Sequence, residues 1–227
     1  FMNKNLLKRI VLTSAIAVLG VSTSFAALVM ERDQSVDTAP SVGMYRFEVP
    51  VELQGTYNSA GVANLTASME KEPNTLSMNV AHVKGNPSES YVVEIYKDLA
   101  AIETHRKSDH YQAFVNEVGS KLTNRKMYDV QSVLLFEKKD ALSIVNDGKA
   151  VVTLTEFTVD SNEIDTVQRQ YQLDMERAVR DDAGYKAGYV LRERNAKNRW
   201  YVIQIYSDQE ALIKHLNSPG YRFMMSQ

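Results

Sequence analysis

The chain has 227 residues, 44% of them apolar, and its 26 basic and 28 acidic residues leave a formal charge of −2. That length suits one or two ordinary domains with real cores, and the near balance of charge excludes a nucleic-acid binder built on a basic surface. There is no cysteine, which excludes disulfides, thiolate metal sites and cysteine nucleophiles.

Lys4, Lys8 and Arg9 open the chain with positive charge, Ile10 to Val21 is an apolar run broken only by small residues, and Ser24-Phe25-Ala26 ends it with small residues around an aromatic one. This pattern predicts a cleavable export leader over 1–26. The apolar run is shorter than the roughly 20 residues that span a bilayer comfortably, and a retained membrane anchor is the alternative reading. Cleavage after Ala26 removes three basic residues and no acidic one, taking the formal charge from −2 to −5. The expected address is the periplasm, with secretion as the alternative and no membrane contact after cleavage.

Residues 27–41 are polar and read as an extended segment. Val42 to Val49 alternates apolar and polar residues, with a phase slip between Met44 and Phe47, and predicts a half-buried strand. Asn58 to Glu72 carries Val62, Leu65 and Met69 at helical spacing, and Pro73-Asn74 ends it. Thr75 to Lys84 and Ser90 to Tyr96 are expected as strands joined by a Gly85-Asn86-Pro87 turn. Asp98 can cap a helix reaching Lys107, and Ser108 can cap another that carries Tyr111, Phe114, Val115, Val118 and Leu122. Tyr128 to Glu137 completes this first module, 42–137, as a strand. A linker over 138–149 follows.

The second module, 150–227, begins with a strand over Val151 to Val159. A helix then carries Ile164, Val167, Tyr171, Met175 and Ala178 on one face, with Asp160 and Glu163 as a capping box. Gly188 to Arg194 and Trp200 to Tyr206 are strands, and Asp208 to Asn217 is a helix. Nothing after Tyr221 matches the strand Tyr128 to Glu137. The second module's sheet is therefore expected to expose an open edge, a docking place for a second copy or for an exported protein partner.

The two modules are copies. Tyr91-Val-Val-Glu-Ile-Tyr-Lys-Asp-Leu-Ala-Ala-Ile-Glu-Thr-His-Arg-Lys-Ser-Asp-His-Tyr111 aligns without gaps on Tyr201-Val-Ile-Gln-Ile-Tyr-Ser-Asp-Gln-Glu-Ala-Leu-Ile-Lys-His-Leu-Asn-Ser-Pro-Gly-Tyr221. The same offset pairs Phe47 with Phe157, Val49 with Val159 and Val80 with Val190. One register held across a whole module marks a tandem repeat.

The segment from Tyr91 to Asp98, with His105, Ser108, His110, Tyr111 and Phe114, resembles the hallmark of the antibiotic biosynthesis monooxygenase (ABM) and quinol monooxygenase-like family. Glu72-Pro73-Asn74-x-Leu76 is similar to that family's turn, and Asp182-Ala183-Gly184 is its counterpart in the second copy. The resemblance implies an α+β fold: two tandem ferredoxin-like modules forming an intramolecular dimeric α+β barrel. It also implies a cofactor-free oxygenase acting on a small aromatic or quinol-like molecule, although the same fold hosts several chemistries. The alternative is a non-catalytic exported module that binds a ligand or a protein partner. Haem-degrading relatives use a strand Asn, a strand-end Trp and a helix His. Here Tyr96 and Tyr206 stand at the Trp position and neither first strand contains Asn, so haem chemistry is not expected.

Within that frame the candidate catalytic residues are His105, Tyr96, His110, His215 and Tyr206. An imidazole suits proton transfer near neutral pH, and a strand-end phenol could hydrogen-bond a phenolic substrate. The competing readings are helix packing for the histidines and core packing for the tyrosines. Tyr111, Phe114, Trp200 and Tyr221 are candidates to line a ligand cavity, or else helix–sheet core and, for Trp200, a packing anchor. His110 is replaced by Gly220 in the second copy, which makes the first cavity the better catalytic candidate. No cofactor and no metal site are expected, since His82 has no partner at ligand spacing.

Overall fold

The computed structural model describes residues 8–19, 40–138 and 148–226. The expected leader (1–26), extended segment (27–41) and linker (138–149) therefore lie largely outside the described residues.

Strand β1 (Lys8–Leu19) precedes the first module. That module runs β2 (Ser41–Glu48), α1 (Gln54–Lys71), β3 (Thr75–Val83), β4 (Asn86–Tyr96), α2 (Leu99–Lys107), α3 (Asp109–Glu117), β5 (Thr123–Tyr128) and β6 (Val130–Glu137). The second runs β7 (Val151–Thr158), α4 (Ile164–Asp181), β8 (Tyr185–Glu193), β9 (Arg199–Tyr206), α5 (Gln209–Leu216) and α6 (Pro219–Ser226). Asp98 and Asp208 cap α2 and α5, accepting from the backbone N–H of Ala101 at 2.9 Å and of Ala211 at 2.8 Å. The capping box expected at Asp160 and Glu163 does not form. The Glu163 N–H instead donates to the Asp160 carbonyl at 2.8 Å, a backbone turn that satisfies that donor, and α4 starts at Ile164 with no side-chain cap.

Each module centres on a four-stranded antiparallel sheet, β5-β2-β4-β3 for the first and β7-β9-β8-β6 for the second. The first module thus lends its last strand to the second: β6 pairs β8 from Val130↔Glu193 to Glu137↔Ala187. β5 and β6 are separated only by Asp129, so one bent ribbon starts on one sheet and ends on the other. The open edge expected on the second module is consequently covered. A pseudo-twofold partner of this ribbon lies on the other side of the barrel. There β1 pairs β7 through Lys8↔Glu156 to Thr13↔Val151 and β3 through Leu12↔Val83 to Leu19↔Ser77. Ile10 meets Leu154 as Tyr128 meets Met44, and Leu12 meets Val83 as Val130 meets Glu193. β1 holds the place, and the register, in which a second-repeat counterpart of the β5–β6 ribbon would pair.

The core is layered accordingly. Tyr91, Val93 and Ile95 of β4 meet Tyr201, Ile203 and Ile205 of β9 in one apolar cluster between the sheets. The alternate residues Val92 and Tyr96 pack beneath α1 and α2, and Val202 and Tyr206 beneath α4 and α5. Both faces of the central strands are covered, which is why they are apolar almost throughout.

Candidate active site

Three chain segments meet at the lower end of α1. The helix stops at Glu72, whose backbone is extended and whose N–H donates to the Ser68 carbonyl at 2.9 Å. Thr75 Oγ1 donates to Glu72 Oε2 at 2.6 Å and holds that carboxylate in place. His105 closes α2 and His110 opens α3. Ser108 locks the corner between them, donating to the His105 carbonyl at 2.7 Å and accepting from the Tyr111 N–H at 3.3 Å. The outcome is convergence on one carboxylate. His105 Nδ1 lies 3.1 Å from Glu72 Oε1, and His110 Nε2 lies 2.6 Å from the same oxygen.

Burial alone would raise the Glu72 carboxyl, but the Thr75 hydrogen bond and His105 outweigh it and hold it below the ordinary carboxylate range. Burial lowers His105, against the opposing pull of Glu72. A charged Glu72 can only accept hydrogen bonds, so His105 carries its proton on Nδ1. Its Nε2, on the other side of the ring, is buried and has no hydrogen-bond partner.

His105 is also in the wall of a cavity with about 630 Å³ of empty space, part of it open to solvent. The apolar wall comes from Phe47, Tyr57, Leu65, Val80, Val92, Ile102 and Phe114, and the polar groups are Tyr45, Asn64, Glu94, Tyr96, His105, Arg106 and Tyr111. Tyr96 donates to Glu94 Oε2 at 2.9 Å. Burial pushes the Glu94 carboxyl up to about 7, although the Tyr96 hydrogen bond and Arg106 oppose the rise. Ring centroids of Tyr96 and Tyr111 lie 5.7 and 4.8 Å from that of His105.

Of the residues singled out in the sequence, Tyr96, His105, Tyr111 and Phe114 meet at this cavity. His110 stands behind it, on Glu72. Trp200, expected in a ligand cavity, is fully buried in the second module's core against Phe157, with Nε1 donating to the Lys197 carbonyl at 2.9 Å. Glu72 and Glu94 stand within the family-like motifs, where their residue types alone carry no site reading. Their signal lay in the repeat, where Asp182 and Gln204 take their places.

The second copy closes the equivalent space. Gly61 becomes Tyr171, Leu65 becomes Met175 and Phe114 becomes Met224, all buried in one apolar cluster with Phe157 and Tyr206. His215 is held between Asp182, 3.1 Å from Nδ1, and Asp174, 3.3 Å from Nε2. Arg177 reaches Asp174 Oδ1 and Ser218 Oγ, each at 3.0 Å. A side chain at Gly220 would collide with it, since a Cβ there would sit 2.6 Å from Arg177 Nε. Tyr221 packs on His215, with ring centroids 5.0 Å apart.

The structure resembles solved proteins over most of its length. One, assigned as a monooxygenase from Lactobacillus acidophilus NCFM, has a TM-score of 0.75 at 19% identity and aligns over 83% of this chain and 86% of its own. Another, assigned as a monooxygenase from Fusobacterium nucleatum, has a TM-score of 0.70 at 22% identity over 84% and 86%. No curated protein matches the sequence. The sequence profile described as antibiotic biosynthesis monooxygenase matches residues 42–117 and again 150–226. The chain belongs to the antibiotic biosynthesis monooxygenase family and carries two of its domains in tandem.

Proposed function

We propose that the first module's cavity oxygenates a small quinol-type aromatic compound with molecular oxygen and no cofactor, in a protein exported to the periplasm. One observation carries the reading: a buried His105 Nε2 with no partner, beside a cavity, on a ring whose other nitrogen is fixed by Glu72. That pairing is a general base held in one tautomer by a carboxylate. His105 Nε2 takes the proton of a substrate hydroxyl, and Glu72 stabilises the imidazolium that forms. The electron-rich quinolate then reacts with oxygen. One oxygen atom enters the ring to give a hydroxyquinone and the other leaves as water, the quinol itself supplying the electrons. Tyr96 and Glu94 supply hydrogen bonds to the second substrate oxygen. Tyr206 and His215 occupy the corresponding positions in a filled core, which supports a structural role for the second module. Export rests on the leader pattern of residues 1–26 alone.

The test is oxygen uptake by the purified chain on a panel of quinols, with a chelator present. His105→Gln and Glu94→Gln are each expected to lower kcat by about 100-fold or more, with melting temperatures within a few degrees of the parent. Uptake that survives His105→Gln in a folded protein removes the base from the scheme. Quinol binding without uptake in the parent would favour a ligand-binding module instead.

A further inference from the structure

We infer that Glu72, His105 and His110 form a binding site for one divalent transition metal of the zinc class. Their ligand atoms all lie within 4.8 Å of one another. Zinc takes imidazole nitrogen and carboxylate oxygen at about 2.0–2.2 Å, which puts neighbouring ligand atoms of a tetrahedral site roughly 3.3 Å apart. The present separations from Glu72 Oε1, 3.1 Å to His105 and 2.6 Å to His110, need only a slight opening to admit the ion. Two histidines and one carboxylate supply three ligands, and water completes the set from the His110 side, the most exposed of the three. Outer contacts needed to orient the ligands are present as well. Thr75 holds the second Glu72 oxygen at 2.6 Å, and Ser108 fixes the corner that sets one histidine beside the other.

The second repeat serves as an internal control. Asp182 and His215 persist, but Gly220 replaces the second histidine and the Arg177 guanidinium fills the gap, where Ala67 stands in the first copy. A fixed cation beside the carboxylate excludes a metal ion from the second site.

Binding of the ion does not depend on the proposed oxygenase activity, but its consequence rests on that reading. A metal on Nδ1 leaves the remaining ring proton on Nε2, so the unpartnered nitrogen becomes a donor and the base is lost. Zinc would then act as an inhibitor.

The experiment titrates the untagged, chelator-stripped chain with cobalt(II), followed by visible absorption, and with zinc(II), followed by calorimetry and melting temperature. Expected are one ion per chain, the intense visible bands of low-coordinate cobalt and a rise in melting temperature. His110→Ala, at a partly buried position near the surface, loses all three while staying folded. Arg177→Ala combined with Gly220→His raises the stoichiometry to two. Absence of cobalt bands and of binding heat in the folded parent overturns the site, as does binding that survives His110→Ala. Zinc that binds as described without slowing quinol oxidation leaves the site standing and removes His105 as the base.

Discussion

Glu94 is the residue on which the two repeats differ most consequentially at equivalent strand positions, since Gln204 matches it in shape without its charge. Its carboxyl rises from an ordinary 4.5 to about 7 because it is buried. Between those values the folded protein keeps a proton that the unfolded chain releases, so stability falls as pH rises through the window and levels off above it. The loss is on the order of 3 kcal/mol. Glu137, raised by burial near Tyr189, adds in the same direction. Glu94→Gln should therefore flatten the decline, gaining relative to the parent at pH 8 but not at pH 4.5. Urea unfolding of both proteins at those two values checks it, and parallel profiles would show that Glu94 titrates as an exposed acid does. The histidines and Tyr96 were legible in the sequence because their residue types announce proton chemistry. Glu72 was not, since it lies 33 positions before His105 and only the fold brings it there. His110 lies 38 positions from Glu72, and its part in the convergence was hidden in the same way.

Among the elements, helices and central strands were legible from periodicity, and errors gathered where one module's residues serve the other. Tyr128 to Glu137 reads as a single strand, yet Asp129 divides it into β5 on the first sheet and β6 on the second. No local pattern tells which sheet a strand joins, because β6 is apolar on both faces and fits either. The residues of β1 fall within the expected leader, and their backbone pairs with β3 and β7 in the register that the β5–β6 ribbon holds on the other side. If the leader is removed, the outer edges of β3 and β7 lose their partner, and unpaired strand edges recruit other strands. A chain starting at Ala27 should melt below the full chain and self-associate with rising concentration, whereas the full chain should not. Sedimentation at several concentrations distinguishes the two forms. A strictly monomeric truncated chain with an unchanged melting temperature would show that the slot needs no strand.

At the scale of the whole molecule, the two repeats have divided the work that a symmetric dimer of single modules would duplicate. Their sheets share one interior, where Tyr128 meets Tyr201 with ring centroids 5.3 Å apart, so neither can be lost without exposing the other. Only the spaces under the helices are free to diverge, and there the first copy keeps a cavity while the second fills it. The decisive exchange is Gly61 for Tyr171, on equivalent helix faces. A Cβ built at Gly61 has nothing within 4 Å, so the cavity itself provides room for a larger side chain. Gly61→Tyr should place a ring where Tyr171 packs on Phe157 in the second module, with centroids 5.8 Å apart, and Phe47 offers the matching partner. Replacing a mid-helix glycine by tyrosine also favours the helix by a few tenths of a kcal/mol, roughly the gap between the two propensities. Gly61→Tyr is therefore expected to abolish quinol turnover while leaving the melting temperature equal to the parent's or above it. Zinc binding at Glu72, His105 and His110, on the far side of the His105 ring, should persist in the same variant. Oxygen uptake, thermal melting and a cobalt titration on one preparation separate these effects. Turnover undiminished by Gly61→Tyr would place the reaction outside this cavity, and a fall in stability would mean that the second module's packing cannot be transplanted.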